Sequence, residues 1–162
     1  MSNRWFLDTE FHEDGRVIDL ISIGLVSEAG ESYYACVFGF DQSQCNEWVK
    51  ANVLPKLPPD GDPAWKPRWQ IANEVRELLT RDGEPEIWGY FSDYDWVVLC
   101  QLYGRMVDKP EKFPFFCHDL QQEIAKYGFK KSEMPKQEPD TDHTAIGDAQ
   151  WVRATWLWMW RR

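Results

Sequence analysis

The sequence predicts an α/β domain built on a mixed sheet with helices packed on its faces. Three observations carry that prediction. Near the N-terminus, three β-rich stretches follow one another with only short turn signals between them, the pattern of an antiparallel meander. After residue 40, segments with helical periodicity alternate with a further short apolar strand, EIWGYF at 86–91. The chain has 162 residues, 43% of them hydrophobic and 28% charged, which suits a single domain over residues 1–162 better than disorder or two small units.

The elements follow in order. Residues 4–11 read as a first strand, and Glu13-Asp14-Gly15 as a turn. VIDLISIGLV at 17–26 is rich in β-branched residues and reads as a second, central strand. A turn at 27–30 leads to a third strand at 32–38. Residues 41–53 then predict a helix with Trp48 and Val49 on one side. LPKLPPDGDPAW at 54–65 is too rich in proline for regular structure. In 67–81, Ile71, Val75, Leu78 and Leu79 keep helical spacing behind Pro67, and Asp82-Gly83 ends that helix. Past the strand at 86–91, residues 92–103 and 117–127 predict two more helices, the second stopped at Gly128. Residues 130–142 are polar and Pro-containing and predict a loop; 144–160 predict the last helix. In that helix Val152, Trp156 and Met159 or Trp160 recur at packing intervals, and Trp158 falls off the stripe, which suits a subunit contact. No internal repeat or low-complexity segment occurs.

Composition narrows the function. No apolar run reaches transmembrane length, and MSNRWFLDTEF lacks the apolar region of an export signal, so a cytoplasmic protein without a membrane partner is expected. Cys36, Cys45, Cys100 and Cys117 show neither a disulfide framework nor zinc-ligand spacing. Ten tryptophans predict an aromatic core. The formal net charge of −9 has the wrong sign for a protein that holds nucleic acid by phosphate contacts alone. Either the excess acid is a solvated face, or part of it is a carboxylate cluster offset by divalent metal.

WFLDTEF, residues 5–11, raises the second option. A strand has a side-chain period of two, so Asp8 and Glu10 project together. Adjacent like charges are unfavourable unless a cation joins them, and hard carboxylate oxygens suit magnesium or manganese. An exposed strand edge with two solvated acids is the plainer reading of the pair alone. Asp93 and Asp95 stand at the next junction, GYFSDYDWVVLCQL, where a strand ends and a helix begins. Strand ends of α/β sheets are where ligands bind. For Asp95 taken alone, a capping box with Ser92 is the plainer reading. In HTAIGDAQ, His143 and Asp148 are five residues apart and cannot share a face of one helix. They converge if His143 sits in the loop or at the helix start; singly they read as a loop histidine and an exposed helical acid. His118-Asp119 reads as a helix-start cap.

Taken together and in this order, the motifs resemble those of the DEDDh branch of the DEDD 3′–5′ exonucleases. Within it, the chain is similar to the small, ribonuclease T-like exoribonucleases of mycobacterial type. FLDTEFHEDGRVIDLISIG, YDWVVLCQLYG and HTAIGDAQWVR carry the likeness, and VLPKLPP fits it. Where many relatives have a small residue and Phe before the second-motif Asp, this chain has Asp93-Tyr94-Asp95; Tyr94 fills the aromatic slot, which assigns Asp95 and leaves Asp93 as the alternative.

The resemblance implies a ribonuclease H-like fold and a phosphodiesterase with two divalent ions, Mg2+ or Mn2+, that clamp the attacking and leaving oxygens. It implies that Asp8 bridges the ions, that Glu10 and Asp148 complete the shell of the first ion, and that Asp95 holds the second, partly through water. His143 would then act as general base, a role suited to a side chain that titrates near neutrality. The substrate implied is a single-stranded RNA 3′ end, released as nucleoside 5′-monophosphates. Glu10, Phe11 and Tyr94 are the candidate substrate contacts, since aromatic stacking accepts any base. A homodimer is implied as well. The same residues would serve a DNA-directed 3′–5′ exonuclease, and an idle nucleic-acid-binding domain of the same fold is the third reading.

Overall fold

The computed structural model describes residues 3–161. The meander is present as β1 (Arg4–Glu13), β2 (Ile18–Ser27) and β3 (Ser32–Val37), paired antiparallel. β5 (Glu86–Gly89) runs parallel to β1, and β6 (His118–Asp119) parallel to β5. β4 (Trp65–Lys66) pairs parallel to β3 on the far edge, so the sheet order is β4-β3-β2-β1-β5-β6. The α/β class and the mixed sheet are as the sequence predicts.

The alternation of β1 decides which residue faces what. Trp5 and Leu7 enter one core, with Ile23 and Leu25 of β2. That core is closed by α2 (Arg68–Thr80) through Ile71, Val75 and Leu79, and by α3 (Asp93–Gln101) through Val98 and Leu99. Phe6 points to the other face. There it meets Leu120 and Ile124 of α4 (Leu120–Tyr127) and Val152 and Trp156 of α5 (Ala145–Trp160). Ile21 of β2 packs with Val49 of α1 (Glu47–Asn52). Asp8 and Glu10 share the parity of Phe6, so the strand period delivers them to the α5 face.

Glycine lets α5 come close. Gly24 stands opposite Asp8 in the β1–β2 register, and a Cβ built on it would lie 2.2 Å from the Ala145 carbonyl oxygen. The first turn of α5 thus rests directly on the sheet beside Asp8. The pairing shifts between Glu10 and Phe11: Glu10 faces Ser22, Phe11 faces Leu20, and Ile21 is passed over. Such a bulge bends a strand and re-aims its side chains.

Several boundaries differ from those predicted. The helix expected over 41–53 is split, because two capping side chains compete for the backbone. Asp41 accepts from the Ser43 amide and starts a short 3-10 turn at Gln42–Gln44, while Asn46 accepts from the Val49 amide and starts α1. The Pro-rich run contains a 3-10 turn at Leu54–Lys56 and ends in β4. Asp119 caps α4 by accepting from the Gln121 amide, as the helix-start reading expects, but the helix begins at Leu120 rather than at 117, and His118 and Asp119 lie in β6. Gly128, at φ +72°, ends α4 as predicted. Trp158 is covered by Phe129, with ring centroids 4.9 Å apart, so the off-stripe indole has a partner within the chain.

Candidate active site

Asp8, Glu10 and Asp148 converge: each offers a carboxylate oxygen within 4.8 Å of the others. Asp8 and Glu10 come from consecutive same-face positions of β1. Asp148 comes from the first turn of α5, seated against the sheet at Gly24. Its two oxygens are held separately, Oδ2 by the His143 amide at 3.0 Å and Oδ1 by the Gln137 side-chain amide.

Asp95 reaches the site from the other side of the sheet. Its Oδ1 accepts from the Thr9 amide at 2.8 Å and the Thr9 hydroxyl at 2.5 Å, which ties α3 to β1 between the two β1 acids. Asp95 lies outside the group of three but close enough for its charge to act on Asp8 and Glu10. The capping-box reading fails here. Ser92 makes no side-chain cap bond, and its amide donates to Asp119 rather than to Asp95. Asp95 is buried and Asp93 exposed.

The electrostatics are those of four acids crowded together out of water. Burial pushes the Asp8 carboxyl well above the carboxylate range, and the charges of Asp95, Asp148 and Glu10 push it further. Glu10 is raised to about 8 by burial and then by Asp148 and Asp95, against a smaller opposing pull from Lys56. Asp95 is raised to about 6 by burial, although the Thr9 bonds oppose the shift. Asp148 is raised by burial against its bonds from Gln137 and His143. A divalent cation relieves this repulsion, and the donors are all hard carboxylate oxygens, so the residues present fit Mg2+ or Mn2+.

His143 lies at the rim with φ +55°, a left-handed backbone uncommon for a residue with a Cβ. Three contacts hold it there. Its amide binds Asp148, its ring meets the Trp48 ring edge-on at 4.9 Å, and Lys56 binds the preceding residue through the Asp142 carbonyl and, at 3.1 Å, its carboxylate. Thr144 then caps α5 by accepting from the Gly147 amide. His143 and Asp148 therefore converge by the route the spacing allows, loop residue to first helical turn.

A cavity of about 520 Å³ opens beside these groups, lined by Asp8, Tyr90, Met134, His143, Asp148 and Trp151 among others. Phe11 and Tyr94 stack on each other on the α3 side, centroids 5.7 Å apart and planes 8° apart, with Tyr94 52% exposed. Sequence reasoning missed Thr9, Trp48, Lys56 and Gln137. Trp48 lies in a segment read only for secondary structure, Lys56 in the VLPKLPP run that fits the likeness without marking a site residue, and Gln137 in a loop without period; no spacing signal marks any of them.

Residues 3–160 match the family described as the 3′-5′ exoribonuclease Rv2179c-like domain. Two Mycobacterium tuberculosis proteins are each 43% identical over 149 residues, covering 91% of this chain and 87% of their own. They are the 3′-5′ exoribonuclease Rv2179c of strain ATCC 25618 / H37Rv and the 3′-5′ exoribonuclease MT2234.1 of strain CDC 1551 / Oshkosh. Among solved structures, product-bound exonuclease I superposes with a TM-score of 0.63 at 16% identity, over 94% of this chain and 42% of its own. Pop2p of S. pombe, in its Mg2+- and Mn2+-bound form, gives 0.60 at 15% identity, over 99% and 84%. At those identities the two structures speak for the fold, which is the ribonuclease H-like α/β architecture of exonucleases. On its family match and its mycobacterial relatives, the chain is a nuclease and belongs to the Rv2179c-like 3′-5′ exoribonuclease family.

Proposed function

We propose that the protein is a metal-dependent exoribonuclease that shortens single-stranded RNA from its 3′ end. The observation that carries this reading is the convergence of Asp8, Glu10 and Asp148, with His143 bound to Asp148 at the rim of a cavity. Asp8, Glu10, Asp95 and Asp148 would hold two divalent ions, Mg2+ or Mn2+. When bound, the ions supply positive charge to the attacking and leaving oxygens of the phosphodiester.

The chain's own residues do the rest. His143 takes a proton from the attacking water, whose oxygen bonds to the terminal phosphorus as the bond to the 3′-oxygen breaks. The 3′-oxygen of the shortened strand takes a proton from solvent water and becomes a hydroxyl, and a nucleoside 5′-monophosphate is released. The imidazole is 43% exposed, so it can return its proton to solvent. The Phe11–Tyr94 pair offers an aromatic face for the terminal base, and the backbone at Glu10 and Phe11 lies near enough to the acids to meet its ribose. The whole chain acts as one domain, as a homodimer in the cytoplasm. Among the described residues, no helix is long and apolar enough to cross a membrane.

The test is to incubate the purified protein with 3′- and 5′-labelled RNA and DNA, with Mg2+ or with EDTA. Release of labelled 5′-mononucleotides from 3′-labelled RNA, abolished by EDTA, is the expected result. Trimming of DNA but not RNA would turn the reading to a DNA-directed exonuclease. Binding without any product would turn it to an idle nucleic-acid-binding domain.

A further inference from the structure

We infer that Gln137 is a positioning residue for the metal site, acting through Asp148; the inference rests on the metal-dependent reading above. Asp148 is the acid of the group that does not come from the β1 strand. Its carboxylate must be turned toward Asp8 and Glu10 by something other than the sheet, and the structure supplies two donors. The His143 amide fixes Oδ2, and the Gln137 side-chain amide fixes Oδ1. An ionised carboxylate only accepts, so the NH2 end of Gln137 faces it. Each oxygen keeps a further lone pair, so both bonds can coexist with a cation. Groups that orient a metal-ligating carboxylate from outside usually matter 10- to 100-fold in metal affinity.

Gln137 arrives already aimed. Two residues earlier, the Pro135 carbonyl accepts from the Trp151 indole at 2.9 Å, and Met134 is buried beside Val152 and Trp156. On the other side, Glu138 closes a turn with Thr141, whose hydroxyl donates to its carbonyl at 2.8 Å. The side chain between these anchors needs little further ordering to reach Asp148. Its neutrality also matters. An amide orients the carboxylate without cancelling its charge, whereas a lysine at this position would satisfy the charge and compete with the cation.

The experiment measures Mn2+ affinity by calorimetry on the full chain, in the parent, Gln137→Met, Gln137→Lys and Asp8→Asn. Gln137→Met keeps length and apolar contact and loses the donor. Its Mn2+ affinity is expected to fall about 10- to 100-fold, with the melting temperature of the metal-free protein close to the parent's. Its RNA turnover is expected to return to within a few-fold of the parent at saturating Mn2+, because the group acts through metal occupancy and not on the substrate. Gln137→Lys should bind Mn2+ more weakly still while melting higher without metal. Parental Mn2+ affinity in Gln137→Met, with Asp8→Asn inactive in binding, would overturn the positioning role and leave the metal site standing. A parent that binds no Mn2+ would overturn both. Should Gln137→Met fail to fold, Gln137→Ala, which also loses the donor and adds no charge, takes its place, and parental affinity there overturns the role.

Discussion

Two unlike regions meet at the site, beside Asp95 of α3 and Asp148 of α5. Strand β1 contributes Asp8 and Glu10 from a central, doubly packed position, where Trp5, Phe6 and Leu7 are almost fully buried and the strand period fixes the side-chain direction. The segment from Lys130 to His143 contributes Gln137 and His143 from irregular backbone, held by isolated bonds: Trp151 to Pro135, Lys56 to Asp142, and both Gln137 and His143 to Asp148. The first region is rigid by cooperativity of the sheet. The second is rigid only as far as buried Met134 and each separate bond make it so. This difference suggests a division of labour in which the strand fixes the charge and the segment tunes how it is used.

The largest effects should separate the two regions by kind of loss. Asp8→Asn removes a carboxylate from the floor and should lower RNA turnover at least about a thousandfold, with metal binding lost at the same time. His143→Ala should lower turnover about 100- to 10,000-fold and leave Mn2+ affinity close to the parent's. Calorimetry beside a turnover assay reads both. If His143→Ala lost its metal as Asp8→Asn does, the contrast between floor and rim would collapse.

A smaller effect tests the joint between the regions. Gly24→Ala would drive a methyl into the Ala145 carbonyl, 2.2 Å from the ideal Cβ position. The obstacle is backbone, so α5 must lift from β2 and carry Asp148 with it. Overpacking of this kind costs about 1–3 kcal/mol, which for a domain of this size lowers the melting temperature by roughly 2–12 °C. Turnover should fall as well. Gly83→Ala, at a glycine with open space around it and φ +109°, serves as a comparison for strain without loss of docking.

The same contrast explains what the sequence makes legible. Asp8 and Glu10 are readable because a strand has a fixed period and Trp5-Phe6-Leu7 announces burial. Asp148 is readable because a helix start follows Thr144. Asp95 is ambiguous in sequence, since a first-turn acid after Ser92 looks like a cap; only the meeting of α3 with β1 at Thr9 shows its actual partner. The meander and the last helix are likewise periodic and legible, while the two-residue strands β4 and β6 exist only because a neighbour strand is there to pair with. Lys56 and Gln137 are invisible for a related reason. Their roles depend on long-range encounters, of Pro-rich and loop backbone with the site, that no local pattern encodes.

The charge held on the strand also predicts a pH dependence. Glu10 moves from an ordinary 4.5 to about 8 in the folded chain without metal. The folded state therefore holds a proton there that the unfolded state has already released. Stability from this group is fully present below about pH 4.5 and is lost as pH rises through 8. Metal-free protein should therefore melt progressively lower as pH rises across this range, and added Mg2+ should reverse the loss. Glu10→Gln should flatten the slope, with a gain over metal-free parent of about 1–3 kcal/mol at pH 8.5, or roughly 2–12 °C. A parent whose melting temperature rises from pH 5 to 8 in EDTA would contradict the raised carboxyl.

The smallest effect is the most discriminating, because the two regions should respond with opposite signs. Lys56 touches both: it binds Asp142 beside His143, and its charge lowers the pKa of Glu10. In Lys56→Met the segment loses a tether of a partly exposed ion pair, worth about 0.2–1 kcal/mol, so turnover at saturating metal should fall about two- to fivefold. The floor loses a cation that acts on Glu10 and competes with the metal, so Mn2+ affinity should rise rather than fall, by a similar factor. Lower turnover with tighter metal binding would mean that strand and segment are set independently, with Lys56 as the link between them. A fall in both would mean that the segment holds the metal as much as the strand does.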